Sequence, residues 1–226
     1  MTQSSTKLLE VRHLTRRHQE TGTALLNDVS LDIEAGMRLV VQGPSGAGKT
    51  LLLRALVLLD HLDAGEIFWE GKRVHSDAVP TLRKNVIYLH QRAVMLDSTV
   101  EGSLRRPFEL LSRKPQGFDA DVAVNYLSML GRDDGFLAKR TADLSGGEIQ
   151  IAALVRALQL DPKILLLDEP TAALDAQAAL EVETLIGNWA GQEPQRAFVW
   201  VSHNDEQAQR LGWQFARMEA GRLTLA

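Results

Sequence analysis

Residues 43–50 read GPSGAGKT. Glycine, four residues, glycine, lysine and a hydroxyl residue make a spacing that narrows the fold more than any other stretch of the chain. Gly43, Gly46 and Gly48 free the backbone to turn its N–H groups inward as an anion-binding nest. Pro44, Ser45 and Ala47 complete the turn. A helix opening at the lysine adds the partial positive charge of its N-terminus. Lys49 can then reach the outer phosphates of a nucleotide, and the Thr50 hydroxyl can bind Mg²⁺. A chance glycine turn would need no particular setting, whereas a phosphate loop needs a strand before it and a helix after it. Both are present: "MRLVVQG" (37–43) reads as a short apolar strand, and "TLLLRALVLLD" (50–60) is apolar nearly all round, as a buried helix is.

The rest of the chain builds out from that loop. Strands are expected over 8–14, 24–33 and 85–91, with a hairpin over 65–74 turning at Glu70–Gly71. From about 98 to 145 strand signals vanish and "TVEGSLRRPFELL", "DADVAVNYLSML" and "DGFLAK" read as short helices, so a helical subdomain is expected over about 92–145. Strands follow at 163–170 and 196–203, separated by an amphipathic helix capped by Asp175. A short helix and a hairpin over 213–226 close the chain. Strand–helix alternation from residue 37 onward predicts an α/β fold with a mainly parallel sheet and helices on its faces, organised as a single domain over 1–226.

Composition removes other classes. The formal net charge of −4 gives no basic field for nucleic acid. The absence of cysteine excludes disulfides and cysteine-based zinc sites and suits a reducing compartment. "MTQSSTKLLEVRH" lacks the apolar core of a signal peptide, and the longest apolar runs, such as "LLLRALVLL", are half the length of a membrane span. A cytoplasmic chain is expected.

Two further stretches carry chemistry. "ILLLDEP" sets Asp168 and Glu169 at the C-terminal end of a buried strand, where open α/β sheets place their sites. Asp168 would hold Mg²⁺, directly or through water, and Glu169 would act as general base on the attacking water. Taken alone, the pair could equally be acids capping the next helix. "LSGGE" (144–148) opens a helix, and its local reading is a capping box with Ser145 as N-cap and Glu148 three residues on.

Taken together and in order, "GPSGAGKT", Gln91, "LSGGEIQ", "ILLLDEP", "AALD" and His203 resemble the ATP-binding subunit of an ABC transporter. The resemblance covers almost the whole chain. It implies a phosphate-loop core with an N-terminal antiparallel β subdomain and an inserted helical subdomain, ATP and Mg²⁺ as ligands, and ATP hydrolysis as the activity. It also implies that two copies face head to tail, so that Ser145, Gly146, Gly147 and Glu148 meet the nucleotide held by the other copy's Lys49. Gln91 resembles the switch glutamine that reaches Mg²⁺ and water. His203 resembles the switch histidine beside the γ-phosphate, and Asp175 the aspartate that crosses the dimer interface. Read locally, Gln91 is a solvated side chain, His203 a strand-end residue and Asp175 a helix cap.

Three positions depart from the family pattern. Glu148 stands where glutamine is commoner, and Thr50 where serine is. The adenine-stacking aromatic, usually tyrosine, falls on His18, whose smaller face implies weaker base selectivity; the alternative is a solvated loop. The resemblance further implies a separate transmembrane permease and a location on the inner face of the cell membrane. Val94, Met95, Leu96 and Phe108, within the segment 92–115, are the expected docking groove, or else pack the subdomain. Within transporters the short form is most similar to bacterial subunits of iron export and oxidative-stress resistance; lipoprotein release and phosphate import are alternatives. A second class of reading is a non-transport ABC ATPase acting on DNA or ribosomes, and a third is a regulatory ATP-binding module without turnover.

Overall fold

The computed structural model describes residues 6–110, 117–212 and 214–225. In chain order the elements are β1 (Lys7–Arg17), β2 (Ala24–Glu34), β3 (Arg38–Gln42), α1 (Lys49–Leu56), β4 (Ala64–Trp69), β5 (Lys72–Arg73), α2 (Val79–Asn85), β6 (Val86–Leu89), α3 (Val100–Arg105), α4 (Ala120–Met129), α5 (Gly146–Leu158), β7 (Ile164–Asp168), α6 (Ala176–Gln192), β8 (Ala197–Val201), α7 (Asp205–Leu211), β9 (Gln214–Glu219) and β10 (Arg222–Leu225). Residues 1–5 of the N-terminal stretch, 111–115 of the expected docking segment, and Trp213 and Ala226 of the closing hairpin lie outside the described residues. Among the described residues no helix is long and apolar enough to cross a membrane.

The chain divides into two compact units. The first comprises Met1–Tyr88, Lys163–Glu169 and Ala190–Ala226; the second comprises Leu89–Pro162 and Pro170–Trp189.

The first unit holds two sheets. Four strands in the order β2-β1-β4-β5 form an antiparallel sheet, and six in the order β10-β9-β3-β8-β7-β6 form the central one. In the central sheet β3 runs parallel to both β8 and β9, and β7 runs parallel to β8. Both β7 ("ILLLD") and β8 ("AFVWV") are buried at every position, the pattern of strands covered on both faces. Helix α1 packs with strands of both sheets in one core, where Leu52, Leu53 and Leu56 join Leu14, Val41 and Leu166. The registers matter most: Val41 stands opposite Val201, and Val201 opposite Asp168. Three C-terminal strand ends therefore finish in one row, each step of the row about 5 Å wide.

Some departures from the expected elements have a local reason. Helix α1 stops at Leu56 rather than near residue 60, because Leu58 turns left-handed (φ 54°). Arg54 holds both carboxylate oxygens of Asp60 at 2.7 Å, which draws the chain back across the helix end. Helix α2 was not expected; its signal is Pro80 in the first turn, which fits there because the missing N–H has no helical partner to lose. It runs directly into β6, which therefore spans only Val86–Leu89.

The second unit carries α3, α4, α5 and most of α6. Thr99 caps α3 by accepting from the Gly102 N–H at 3.1 Å, and Asp119 caps α4 by accepting from the Asp121 N–H at 2.9 Å. "DGFLAK" forms only a 3₁₀ turn, Asp134–Ala138, with Phe136 buried. This unit reaches beyond the expected helical region at 92–145, taking in α5 and α6 to Trp189.

Candidate functional site

The loop from β3 to α1 is built around glycines that no other residue could replace. Gly43 has φ 150°, and a Cβ there would lie 2.0 Å from the Met218 carbonyl oxygen. Gly48 has φ 104°, and its Cβ would meet the Leu25 carbonyl oxygen at 2.9 Å. The loop is thus clasped between β2 and β9. Lys49 opens α1 and is only 6% exposed. Its Nζ donates to the carbonyls of Gly43 (2.8 Å) and Pro44 (2.9 Å). Burial pulls its ammonium below the ordinary lysine range, and the charges of Glu169 and Asp168 oppose that shift. Thr50 follows on the same first turn.

Asp168 ends β7 and is 1% exposed. The Tyr88 hydroxyl, from neighbouring β6, donates to its Oδ2 at 3.0 Å. Burial first, then the Asp168 charge, pushes the Tyr88 phenol above its ordinary range. Glu169 comes next, with φ 47° although a proline follows. A residue before proline favours extended backbone, so this left-handed turn is strained. It also solves a geometric problem: neighbouring side chains on a straight strand point to opposite faces. The Glu169 N–H donates to the Val201 carbonyl at 3.2 Å, holding the turn against β8. Its Oε1 lies 2.7 Å from His203 Nε2.

The segment carrying His203 is fixed by groups the sequence reading passed over. Buried Ser202 donates from Oγ to buried Gln207 at 2.7 Å and accepts from the Asn204 N–H at 3.0 Å. Asn204 caps α7 by accepting from the Gln207 N–H at 3.0 Å. Gln42, just before the glycine loop, donates to Asp205 at 2.8 Å. A cleft of about 500 Å³ opens here, lined by Gln42, Gly43, Pro44, His203, Asp205 and Arg217. Polar residues flanking a motif carried the signal for these partners, but only tertiary pairing assigns them.

His18 lies in the β1–β2 turn and is exposed. The Glu20 and Thr21 N–H groups approach its Nδ1 at 3.3 and 3.4 Å, which directs that ring nitrogen inward as an acceptor. It lines a hollow of about 450 Å³ with Arg16, Arg17, Glu20, Leu25 and His61. Leu25 is the residue whose carbonyl abuts Gly48, so the hollow opens beside the phosphate loop.

The second unit holds the other expected residues. Ser145 Oγ accepts from the Glu148 N–H at 3.2 Å, and Glu148 Oε2 accepts from the Ser145 N–H at 2.9 Å, forming the expected capping box at the head of α5. Lys139 adds a 2.7 Å bond to Glu148 Oε1. That bond first, then the Ser145 N–H, pulls the Glu148 carboxyl down to about 2. Gly146 has open space where a Cβ would stand, whereas a Cβ on Gly147 would sit 3.0 Å from the Ala173 carbonyl. The signature turn therefore packs on the loop leading to Asp175, which caps α6 through the Ala178 N–H at 2.9 Å. Gln91 is exposed just after β6. Of the expected groove, Val94 (65%) and Leu96 (59%) are exposed, while Phe108 packs edge-on against Phe118. The structure thus gathers Lys49, Thr50, Asp168, Glu169 and His203 in one unit, and Gln91, Ser145, Gly146, Gly147, Glu148 and Asp175 in the other.

A buried lysine in a glycine cradle, a hydroxyl and two acids at the end of β7 are groups suited to a nucleotide's phosphates and their cation. A family profile described as "ABC transporter" matches residues 26–172. The chain is 37% identical over 213 residues to Protein STAR1 of Oryza sativa subsp. japonica, covering 94% of this chain and 60% of that protein's length. It is 33% identical over 183 residues to the probable iron export ATP-binding protein FetA of Escherichia coli K12, covering 81% and 80%. It is 36% identical over 217 residues to a putative ABC transporter ATP-binding protein, YjkB, of Bacillus subtilis, covering 95% and 84%. A dimeric ATP-binding cassette solved in a post-hydrolysis state with ADP and Pi superposes with a TM-score of 0.82 at 24% identity, covering 96% of each chain. The chain belongs to the ABC transporter family. It is an ATP-binding, ATP-hydrolysing domain of that class.

The capping box has a pH signature. The depressed Glu148 carboxyl contributes stability that is complete above its ordinary 4.5 and is lost as pH falls toward about 2. Glu148→Ala should therefore cost roughly 1 kcal/mol at neutral pH. In urea melts taken at a series of pH values, its gap from wild type should narrow only below pH 4.5.

Proposed function

We propose that this chain is the ATP-hydrolysing subunit of an ABC transporter and drives solute through a separate membrane permease. The observation that carries the mechanism is the 2.7 Å approach of His203 Nε2 to Glu169 Oε1, at a strained turn beside the buried Lys49. A catalytic base needs an orienting partner within hydrogen-bond reach, and the pair has that geometry.

In this reading the inward amides of 43–50 bind the phosphates, and Lys49 exchanges the Gly43 and Pro44 carbonyls for phosphate oxygens. Thr50 and Asp168 offer a hydroxyl and a carboxylate, both hard oxygen donors suited to Mg²⁺. Among the described residues no cluster of three or more His, Asp or Glu side chains could hold a metal ion. Two donors fit a metal that arrives with its nucleotide and keeps phosphate and water ligands. Mg²⁺ would neutralise charge developing on the phosphates. Glu169 takes the proton of the attacking water while His203 orients it. Ser145, Gly146 and Gly147, at the head of the 13-residue α5, meet the phosphates bound by a second copy of the chain. Glu148 holds that turn in shape through the capping box, and Asp175 positions the loop behind it. Gln91 and the exposed Val94 and Leu96 relay the change to a permease on the inner face of the membrane.

For substrate, the finer reading is metal export. It is supported by the relative described as a probable iron export protein, which matches over 80% of its own length. Relatives described as sulfate/thiosulfate importers, such as that of Bordetella parapertussis, are equally identical at 33% but match over 60% of theirs.

Glu169→Gln should bind Mg·ATP yet hydrolyse it about 10²-fold more slowly and accumulate as a dimer in gel filtration. A variant that stays monomeric and turns over normally would remove the general-base assignment. Ser145→Arg should lower ATPase activity about 100-fold with single-chain nucleotide affinity intact; lost affinity in the monomer would place the turn in its own chain's site. Cells relying on Glu169→Gln should retain more iron after an iron load, whereas unchanged iron with reduced sulfate uptake would favour the import reading.

A further inference from the structure

Asp168 poses a physical problem that the nucleotide site alone does not solve. It is a carboxylate with 1% exposure at the end of a wholly apolar strand. The terminal torsion of an aspartate is broad and two-fold, so burial alone does not fix the plane of its carboxyl group. A buried carboxylate also needs donors for its lone pairs. Tyr88 supplies one: from β6, the strand beside β7, its hydroxyl donates to Asp168 Oδ2 at 3.0 Å. The ring is half-buried.

We infer that Tyr88 is a positioning residue that fixes the Asp168 carboxylate for Mg²⁺, engaging Oδ2 so that the plane of the carboxyl group, and with it Oδ1, is set before the ion arrives. Carboxylates that ligate metals are themselves oriented by hydrogen bonds, and loss of such an outer partner typically weakens metal binding 10- to 100-fold. Tyr88 touches neither phosphate nor water in this scheme; it acts only through Asp168. The inference rests on the reading of Asp168 as a magnesium ligand in an ATP site.

The test uses the full chain and a fluorescent ATP analogue, titrated with Mg²⁺ at fixed nucleotide and separately bound in EDTA. Wild type must first show Mg²⁺-dependent binding; if it does not, the reading of the site fails and not merely the role of Tyr88. Tyr88→Phe keeps the ring and removes one oxygen. It should raise the Mg²⁺ concentration for half-maximal binding about 10-fold, with affinity in EDTA unchanged. In an Asp168→Asn background the same substitution should shift the Mg²⁺ midpoint by less than about 2-fold, because the group it orients is gone. A Mg²⁺ midpoint equal to that of wild type, a parallel loss of affinity in EDTA, or a full effect persisting beside Asp168→Asn would each overturn the assignment.

Discussion

The site depends on one alignment: parallel strands β3, β7 and β8 finish in register, with Val41, Val201 and Asp168 in one row. Parallel strands can share an edge this way only when their crossovers lie outside the sheet, and then the segments leaving the strands converge. The glycine loop leaves β3, Glu169 leaves β7 and His203 leaves β8. No long-range search is needed to bring lysine, acids and histidine together, because the hydrogen-bond ladder has already done so. The strands themselves are apolar at nearly every position, so burial on both faces holds the row rigid while all the polar chemistry lies just beyond it.

Around that edge the polar groups lean on one another. Tyr88 supports Asp168, the Val201 carbonyl receives the Glu169 amide, and Ser202 with Gln207 fixes the approach to His203. Gln42 and Asp205 bridge the start of the glycine loop to the head of α7. Satisfied networks of this kind hold side chains in one rotamer.

Much of this was legible in the sequence because its signals are short and local. The glycine spacing of 43–50 fixes a backbone shape by sterics alone, and Gly43 packed against Met218 makes the reason concrete. Likewise, Ser145 and Glu148 are three residues apart, and the capping box needs nothing else. The apolar runs of β7 and β8 announced a doubly covered sheet. What stayed hidden was set by partners distant in sequence. Tyr88 and Asp168 are 80 residues apart, and nothing in "NVIYLHQ" says where the phenol points. The early stop of α1 follows from a pairing of Arg54 with Asp60 that competes with continued helix, and "LLLRALVLLD" has the composition of either outcome. Helix α2 is short and buries only Leu82, so it lacks the apolar stripe by which longer helices reveal themselves.

The left-handed turn at Glu169 bears on how this protein can be engineered or can drift. Glycine would relax that backbone, so a library sorted for heat resistance would reward a substitution that deletes the carboxylate. On the proposed role of Glu169, robustness and turnover are set against each other at a single peptide unit.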